Sequence, residues 1–159
     1  MKFSGRYLQE KPAVSFADTA QLREIRNEGD RIYIYSLPQS SDGRVFGGPM
    51  IEIYISSPRP DIFRVQAQHF TGSRTKMPHF ELNETPVQLE TEDNGDVLTV
   101  RSGKARLEIH KYPAKFDFYY EDRPLTSLSR SFDRTILGYV SMPEGNFMRA
   151  QLDLDIDEK

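Results

Sequence analysis

The side chains best suited to metal binding or proton transfer are the three histidines, at positions 69, 79 and 110. His69 and His79 stand ten residues apart, and Glu81 follows closely, so these three side chains could share a metal ion. That spacing matches no recognised ligand pattern, which favours structural or surface roles for both histidines. His110 falls on the polar side of an alternating segment, where a solvent-facing side chain is expected. The histidines alone therefore predict no metal site.

A second pattern of possible ligands lies near the end of the sequence, where Asp153, Asp155 and Asp157 form D-x-D-x-D. This spacing is that of the first ligands of an EF-hand loop, but the glycine at the sixth position and the glutamate at the twelfth are missing. Leu154 and Ile156 alternate with the aspartates. The pattern therefore favours the acidic face of a β-strand over a calcium site.

Several kinds of chemistry are disfavoured by what the sequence does not contain. It has no cysteine, so it has no disulfide framework, no zinc–thiolate site and no thiol nucleophile. It also has no G-x-S-x-G motif, no phosphate-binding loop and no dinucleotide fingerprint. The sequence thus indicates no cofactor and no metal.

Size and charge limit the possible partners. The chain has 159 residues, which predicts a single domain over residues 1–159 with a hydrophobic core. Its net charge is −3, which disfavours nucleic acid and anionic membranes as partners. No apolar run approaches the roughly 20 residues of a membrane span, and the N-terminal residues MKFSGRYLQEKP lack the apolar core of a signal peptide. We therefore expect a cytoplasmic protein.

Alternation of apolar and polar residues predicts strands along most of the chain. Ile51, Ile53 and Ile55 alternate with polar or aromatic residues, and Pro58 and Pro60 are expected to end that strand because proline cannot donate to a sheet ladder. The same pattern, with turn residues between the segments, predicts further strands at residues 22–27, 31–37, 63–68, 87–91, 97–101, 105–110, 116–121 and 151–156.

The spacing of these strands indicates the fold class. Strands every 8–12 residues, separated by turns, are typical of an antiparallel β-sandwich or barrel. Residues 17–27 are the best helix candidate, but a strand starting near Leu22 fits the following Gly-Asp turn better. Residues 38–48 read as a long surface loop between two strands. We therefore predict an all-β protein.

Residues 48–83, GPMIEIYISSPRPDIFRVQAQHFTGSRTKMPHFELN, resemble the N-terminal β-sandwich domain of glycoside hydrolase family 31, in its α-xylosidase branch. That family has a similar strand, an SP turn, a strand ending in HF-x-G and then P-H/x-F-x-L. Residues 87–126 and 147–159 are similar to the family's following strands, in the same order. The resemblance covers most of the chain and is clearest over residues 48–83.

The resemblance implies a galactose-mutarotase-like supersandwich domain in truncated form. The family's next segment, Y-G-L-G-E, and the catalytic (β/α)₈ barrel that follows are not in this sequence. The chain alone is therefore expected to be inactive, and its parent is expected to be a retaining α-xylosidase or α-glucosidase that acts on an oligosaccharide. Its partners would be its own catalytic barrel and, because missing strands expose sheet edges, other copies of itself.

Lys115-Phe116-Asp117-Phe118 is similar to the start of the K-x-D-F-G-E motif that carries the family's catalytic aspartate. Here Tyr119-Tyr120 replaces Gly-Glu, and the segment lies among sandwich strands. The sequence therefore predicts that Asp117 is not a nucleophile.

The resemblance implies that one loop of this domain contacts substrate. In family xylosidases the loop before the strand at residues 49–56 can lie near a sugar cleft. Asp42, Arg44 and Phe46 are the side chains of that loop that could contact a sugar hydroxyl or ring face. Two alternatives remain open: a plain surface loop at this position, and a free-standing carbohydrate-binding or protein-interaction sandwich for the whole chain.

Overall fold

The protein is built entirely from β-strands over the part of the chain that the structure describes. The structure is a computed structural model, and it describes residues 13–39, 49–69, 82–128, 137–150 and 152. Within these residues there are eleven strands and no helix, so the predicted all-β fold is confirmed. The strands are β1 (Ser15–Asn27), β2 (Arg31–Gln39), β3 (Ile51–Arg59), β4 (Ile62–Gln68), β5 (Glu90–Asp93), β6 (Val97–Ser102), β7 (Ala105–Lys111), β8 (Ala114–Tyr120), β9 (Arg123–Leu128), β10 (Leu137–Met142) and β11 (Gly145–Ala150).

The strands form two antiparallel sheets. One sheet has six strands in the order β11-β10-β1-β2-β3-β4, and the other has five strands in the order β5-β6-β7-β8-β9. Most neighbours are also consecutive in the chain, as expected for hairpins joined by short turns. The exception is β1, which pairs with β2 on one side and with β10 on the other. This pairing brings a late hairpin back beside the start of the chain.

The core lies between the two sheets because each strand turns alternate aliphatic side chains inward. In β3, Ile51, Ile53 and Ile55 are fully buried, while the residues between them are half-buried. In β7, Leu107 and Ile109 are also fully buried. The remaining core residues are Leu22, Ile32, Ile34, Leu89, Leu98, Val100, Ala114, Phe116, Leu128 and Leu137. One hydrophobic cluster thus joins both sheets.

Two turns tie the sheets together at one end of the sandwich. The hydroxyl groups of Ser57 and Ser102 form a buried hydrogen bond of 2.6 Å between the sheets. The Asp61 carboxylate accepts a hydrogen bond of 2.6 Å from the backbone N–H of Lys104. Gly103 has a φ of +59°, and a Cβ at this position would lie 2.3 Å from Oδ1 of Asp61. Glycine is therefore favoured where the two turns meet.

Some boundaries differ from those predicted. Pro58 does not end β3, which continues to Arg59 with an irregular register after Ser56. An irregularity of this kind lets a strand accommodate proline. The strand predicted at residues 87–91 lies at Glu90–Asp93, and only an isolated bridge from Val87 to Ser57 precedes it.

The helix alternative for residues 17–27 is wrong, since these residues belong to β1. The strand predicted at residues 151–156 lies almost entirely outside the described residues. Across the described ranges, no helix has the length and apolar character needed to cross a membrane.

Candidate functional site

The outer face of the six-stranded sheet carries a row of aromatic and polar side chains. Arg26 of β1 stands opposite Tyr33 of β2, and Tyr33 stands opposite Tyr54 of β3. In the next row, Glu52 of β3 stands opposite Gln68 of β4. These five residues share one face because side chains two apart along a strand point the same way. We call them the tyrosine face.

The rings of the tyrosine face are held by cation–π and ring contacts. The Arg26 guanidinium carbon lies 4.4 Å from the centroid of the Tyr33 ring. The Tyr33 and Tyr54 centroids are 5.4 Å apart with an angle of 57° between the planes. On the far side of Tyr54, the Arg31 guanidinium carbon lies 5.0 Å from its centroid. All of these distances fall within the range in which such contacts are attractive.

Glu52 is the polar centre of the tyrosine face. Its Oε1 accepts a hydrogen bond of 3.1 Å from the Tyr33 hydroxyl, and its Oε2 accepts one of 3.1 Å from Nε2 of Gln68. Burial raises the pKa of the Tyr33 hydroxyl above its ordinary value of 10.0, and the hydrogen bond and charge of Glu52 raise it further. The hydroxyl therefore stays protonated and donates. Rings beside a carboxylate and an amide are the groups that bind a sugar by stacking and hydrogen bonding.

The residues predicted to form the substrate rim belong to a segment that is adjacent in sequence to strands of the tyrosine face. Asp42, Arg44 and Phe46 are outside the described residues. β2 ends at Gln39 and β3 begins at Ile51, so the segment that carries them joins two strands of the tyrosine face.

The metal site considered for His69 and His79 is not assembled by the described residues. His79 and Glu81 lie outside them. The ring of His69 lies 4.6 Å from that of Tyr139 in β10, at an angle of 41°. The observed contact of His69 is therefore an aromatic one.

The outer face of the five-stranded sheet is charged instead of aromatic. Glu108 of β7 stands directly opposite Asp117 of β8, and His110 stands opposite Lys115. Oδ2 of Asp117 lies 3.1 Å from Nε2 of His110 and 2.8 Å from Nζ of Lys115. The Asp117 residue is 91% buried by these neighbours, with 9% of its surface exposed. We call Glu108, His110 and Asp117 the carboxylate–histidine cluster.

Arg106 borders this cluster and links it to an aromatic ring. Its guanidinium group forms an ion pair with Glu108 and lies 4.0 Å from the centroid of the Tyr119 ring. Burial raises the pKa of Tyr119, and the charges of Glu108 and Asp117 raise it further, while Arg106 lowers it. Tyr119 is therefore a neutral ring under a cation.

The sequence did not reveal this cluster because its members come from two strands. The sequence places His110 on the polar side of one strand and alternates Asp117 with phenylalanines on the next, and both segments are strands. The missing information was the register across the turn at Tyr112-Pro113. The patterns E-x-H and K-x-D on the two arms of a short hairpin were the available signal.

The surroundings of Asp117 bear on the prediction that it is not a glycosidase nucleophile. Retaining glycosidases use two carboxyl groups about 5 Å apart, one of which must act as an acid. The carboxylate oxygens of Glu108 and Asp117 come within 4.8 Å of each other, so the spacing alone would fit. However, each carboxylate lies beside a cationic side chain, Arg106 or Lys115. Both carboxylates are thus engaged in ion pairs.

Comparison with known proteins identifies the fold. No protein-family model matches the sequence, and no curated protein is found as a relative. Among solved structures, the cycloalternan-forming enzyme of Listeria monocytogenes, in complex with a pentasaccharide substrate, matches with a TM-score of 0.62 and 19% identity. The fold is similar to part of that enzyme. The match covers 80% of this chain and 11% of that one.

A second solved structure gives the same result. An uncharacterised protein of Listeria monocytogenes EGD-e, in complex with α-D-glucose, β-D-glucose, magnesium and calcium, also matches with a TM-score of 0.62 and 19% identity. The chain again spans 11% of that protein's length. In both of these Listeria monocytogenes structures, the sandwich is therefore similar to a small part of a much larger chain.

Proposed function

We propose that this chain is a non-catalytic N-terminal β-sandwich domain of an α-xylosidase- or α-glucosidase-type glycoside hydrolase of family 31. Residues 1–159 would form this single domain. It would support the catalytic barrel, its main partner, and shape the rim of the cleft that receives an oligosaccharide. The parent reaction would be the retaining hydrolysis of an α-glycoside in the cytoplasm.

The observation that carries this proposal is the unequal coverage of the structural match. Four fifths of this chain aligns with about a tenth of a carbohydrate-processing enzyme. A sandwich that forms a small part of such an enzyme suits a supporting role. The resemblance of residues 48–83 to family 31 is the support for that family.

An activity assay on the isolated chain tests the non-catalytic role. We expect no hydrolysis of p-nitrophenyl α-xyloside or α-glucoside, since both carboxylates of the carboxylate–histidine cluster lie beside cations. The matched control is the variant Asp117→Asn. Turnover by the wild type that is lost in this variant would contradict the proposal.

The substrate rim is proposed at Asp42, Arg44 and Phe46, on the segment between β2 and β3. In the intact enzyme, the double variant Arg44→Ala/Phe46→Ala should raise KM for an isoprimeverose-type disaccharide, because contacts with the leaving-group sugar are lost. Unchanged kinetics would remove this part of the proposal.

Self-association is proposed through β11, the last strand of the six-stranded sheet among the described residues. The edge strand β5 of the other sheet consists of Glu90, Thr91, Glu92 and Asp93, and its charges disfavour pairing with another chain. By contrast, β11 carries Phe147 with 47% of its surface exposed.

Light scattering at high micromolar concentration should show a dimer, and Phe147→Lys should shift it to monomer. A wild-type monomer at that concentration would refute the idea.

The tyrosine face favours one alternative, a free-standing carbohydrate-binding module. Tyr54 is half-buried beside Glu52 and Gln68, which gives a ring next to hydrogen-bonding groups. A glycan array would then show binding that Tyr54→Ala abolishes, whereas Phe147→Ala, a change at another exposed ring of the same sheet, would leave it intact. We expect no such binding from the isolated domain.

A further inference from the structure

The carboxylate–histidine cluster brings three metal-ligating groups together on a rigid part of the fold. One ligand atom each from Glu108, His110 and Asp117 lies within 4.8 Å of the other two. Their strands, β7 and β8, are interior strands of the five-stranded sheet, with β6 on one side and β9 on the other. Ligands on paired strands are held more precisely than ligands on loops.

The register places two carboxylates side by side, where cations stabilise them. Glu108 and Asp117 stand directly opposite each other on neighbouring strands, where two like charges destabilise a sheet. The ion pairs with Arg106 and Lys115 offset this repulsion. A divalent cation between the two carboxylates would offset it as well, and His110 would add a nitrogen ligand.

We infer that Glu108, His110 and Asp117 form a binding site for a zinc-like transition-metal dication. Imidazole nitrogen and carboxylate oxygen are both ligand types of zinc, and three protein ligands would leave the fourth position of a tetrahedral site to water. Nε2 of His110 and Oδ2 of Asp117 are 3.1 Å apart. Two ligands of a tetrahedral zinc ion at bond lengths of about 2 Å are separated by roughly 3.3 Å. The separation of this hydrogen-bonded pair is thus close to that of two zinc ligands, and a carboxylate oxygen of Glu108 lies within 4.8 Å of a ligand atom of each of these two residues.

Lys115 is the internal competitor for the metal. Its Nζ lies 2.8 Å from the same Asp117 oxygen that a metal would take, and 43% of its side chain is exposed. The ammonium group can therefore move into solvent when the metal enters. Arg106 would give up Glu108 but keep its contacts with Tyr119 and Asp122.

Titration of the full chain with Zn²⁺ against a chromophoric chelator tests this inference. We expect one site with a dissociation constant below about 100 μM. Loss of one of three protein ligands in His110→Ala should weaken binding at least about tenfold. Lys115→Met removes the competing cation. It should tighten binding about threefold, because the positive charge of Lys115 no longer repels the metal ion. His69→Ala, a change at a histidine beside the other sheet, should leave binding unchanged.

The two variants make opposite predictions, so misfolding cannot imitate the result. A circular dichroism spectrum like that of the wild type confirms that each variant folds. Absence of zinc binding by the wild type, binding that survives His110→Ala, or weaker binding in Lys115→Met would each overturn the site. Loss of binding in His69→Ala would place the metal elsewhere and overturn it too.

Discussion

The outer faces of the two sheets follow the same strand alternation but are held together by different forces. On the six-stranded sheet, Tyr33 and Tyr54 are flanked by arginines, and Glu52 accepts two hydrogen bonds from neutral groups. On the five-stranded sheet, Glu108 and Asp117 face each other and are paired with cations. One face presents rings, and the other presents charge.

This difference shows what alternation does and does not determine. Alternation decides which side chains point outward, and it does so equally in both sheets. What the outward side chains do depends on their cross-strand neighbours, because pairs on adjacent strands are the unit of sheet stabilisation. A tyrosine opposite a tyrosine gives a surface suited to stacking, whereas a glutamate opposite an aspartate gives a surface suited to cations.

The largest expected effects are inside the sandwich, where the two sheets should behave alike. Ile53 of β3 and Leu107 of β7 are both fully buried in the shared core. Ile53→Ala and Leu107→Ala should each lower the free energy of unfolding by about 2–5 kcal/mol, from lost burial and the cavity left behind. Urea unfolding measures both. A much smaller loss in one variant would mean that the sheets do not share one core.

The charged face should give the next largest effect. Asp117→Ala removes a mostly buried carboxylate and leaves His110 and Lys115 without their partner. We expect a loss of about 1–3 kcal/mol in the free energy of unfolding. The control is Glu92→Ala at an exposed site on β5, which should change stability by less than about 0.5 kcal/mol. Equal effects of the two variants would show that the contacts of Asp117 with His110 and Lys115 do not stabilise the fold.

The tyrosine face should be less sensitive to the loss of one polar group. Tyr33→Phe keeps the ring between Arg26 and Tyr54 but removes the hydroxyl that donates to Glu52. Because Gln68 still donates to Glu52, we expect a loss of about 0.5–1.5 kcal/mol in urea unfolding. Tyr112→Phe, at a site with 74% exposure, serves as the control with no measurable change. A loss larger than that of Asp117→Ala would reverse the ranking of the two faces.

The smallest effect is a shift in ionisation that both faces share. Burial raises the pKa of Tyr33 on one face and of Tyr119 on the other above the ordinary value of 10.0. The unfolded chain therefore releases these protons first as the pH rises. Their contribution to stability is complete below the unfolded pKa and is lost as the pH climbs through the folded pKa.

Ultraviolet absorbance of tyrosinate between pH 9 and 12 measures this shift, a range chosen around the ordinary tyrosine pKa of about 10. Tyr33→Phe and Tyr119→Phe should each remove one of the late-ionising groups. If either variant instead removes a tyrosine that ionises early in the titration, the conclusion that this ring is buried is wrong.

Much of the sandwich was predictable because its strands alternate cleanly. The burial of Ile51, Ile53 and Ile55 follows directly from a two-residue period. β10 and β11 were harder to predict, because β10 pairs with β1, more than a hundred residues earlier in the chain. Local pattern carries no information about such a contact. Pro58 was misjudged because an irregular register, which the sequence does not signal, accommodates it.

The sites were less predictable than the strands. Alternation places Asp117 between two phenylalanines of β8, but its contacts are with Lys115 of the same strand and with His110 of the preceding strand, β7. Alternation with isoleucines likewise places Tyr33 and Tyr54 opposite the buried face of their strands, yet their contact depends on the register of β2 against β3. Single-strand patterns fix the direction of a side chain, and only strand pairing fixes its neighbours.

The sequence of the source gene beyond the codon for Lys159 tests the proposed domain role most directly. We predict an open reading frame that continues into Tyr-Gly-Leu-Gly-Glu and then into a barrel with a K-x-D-F-G-E motif. A stop codon immediately after Lys159 would contradict the proposed role and would favour a free-standing binding module.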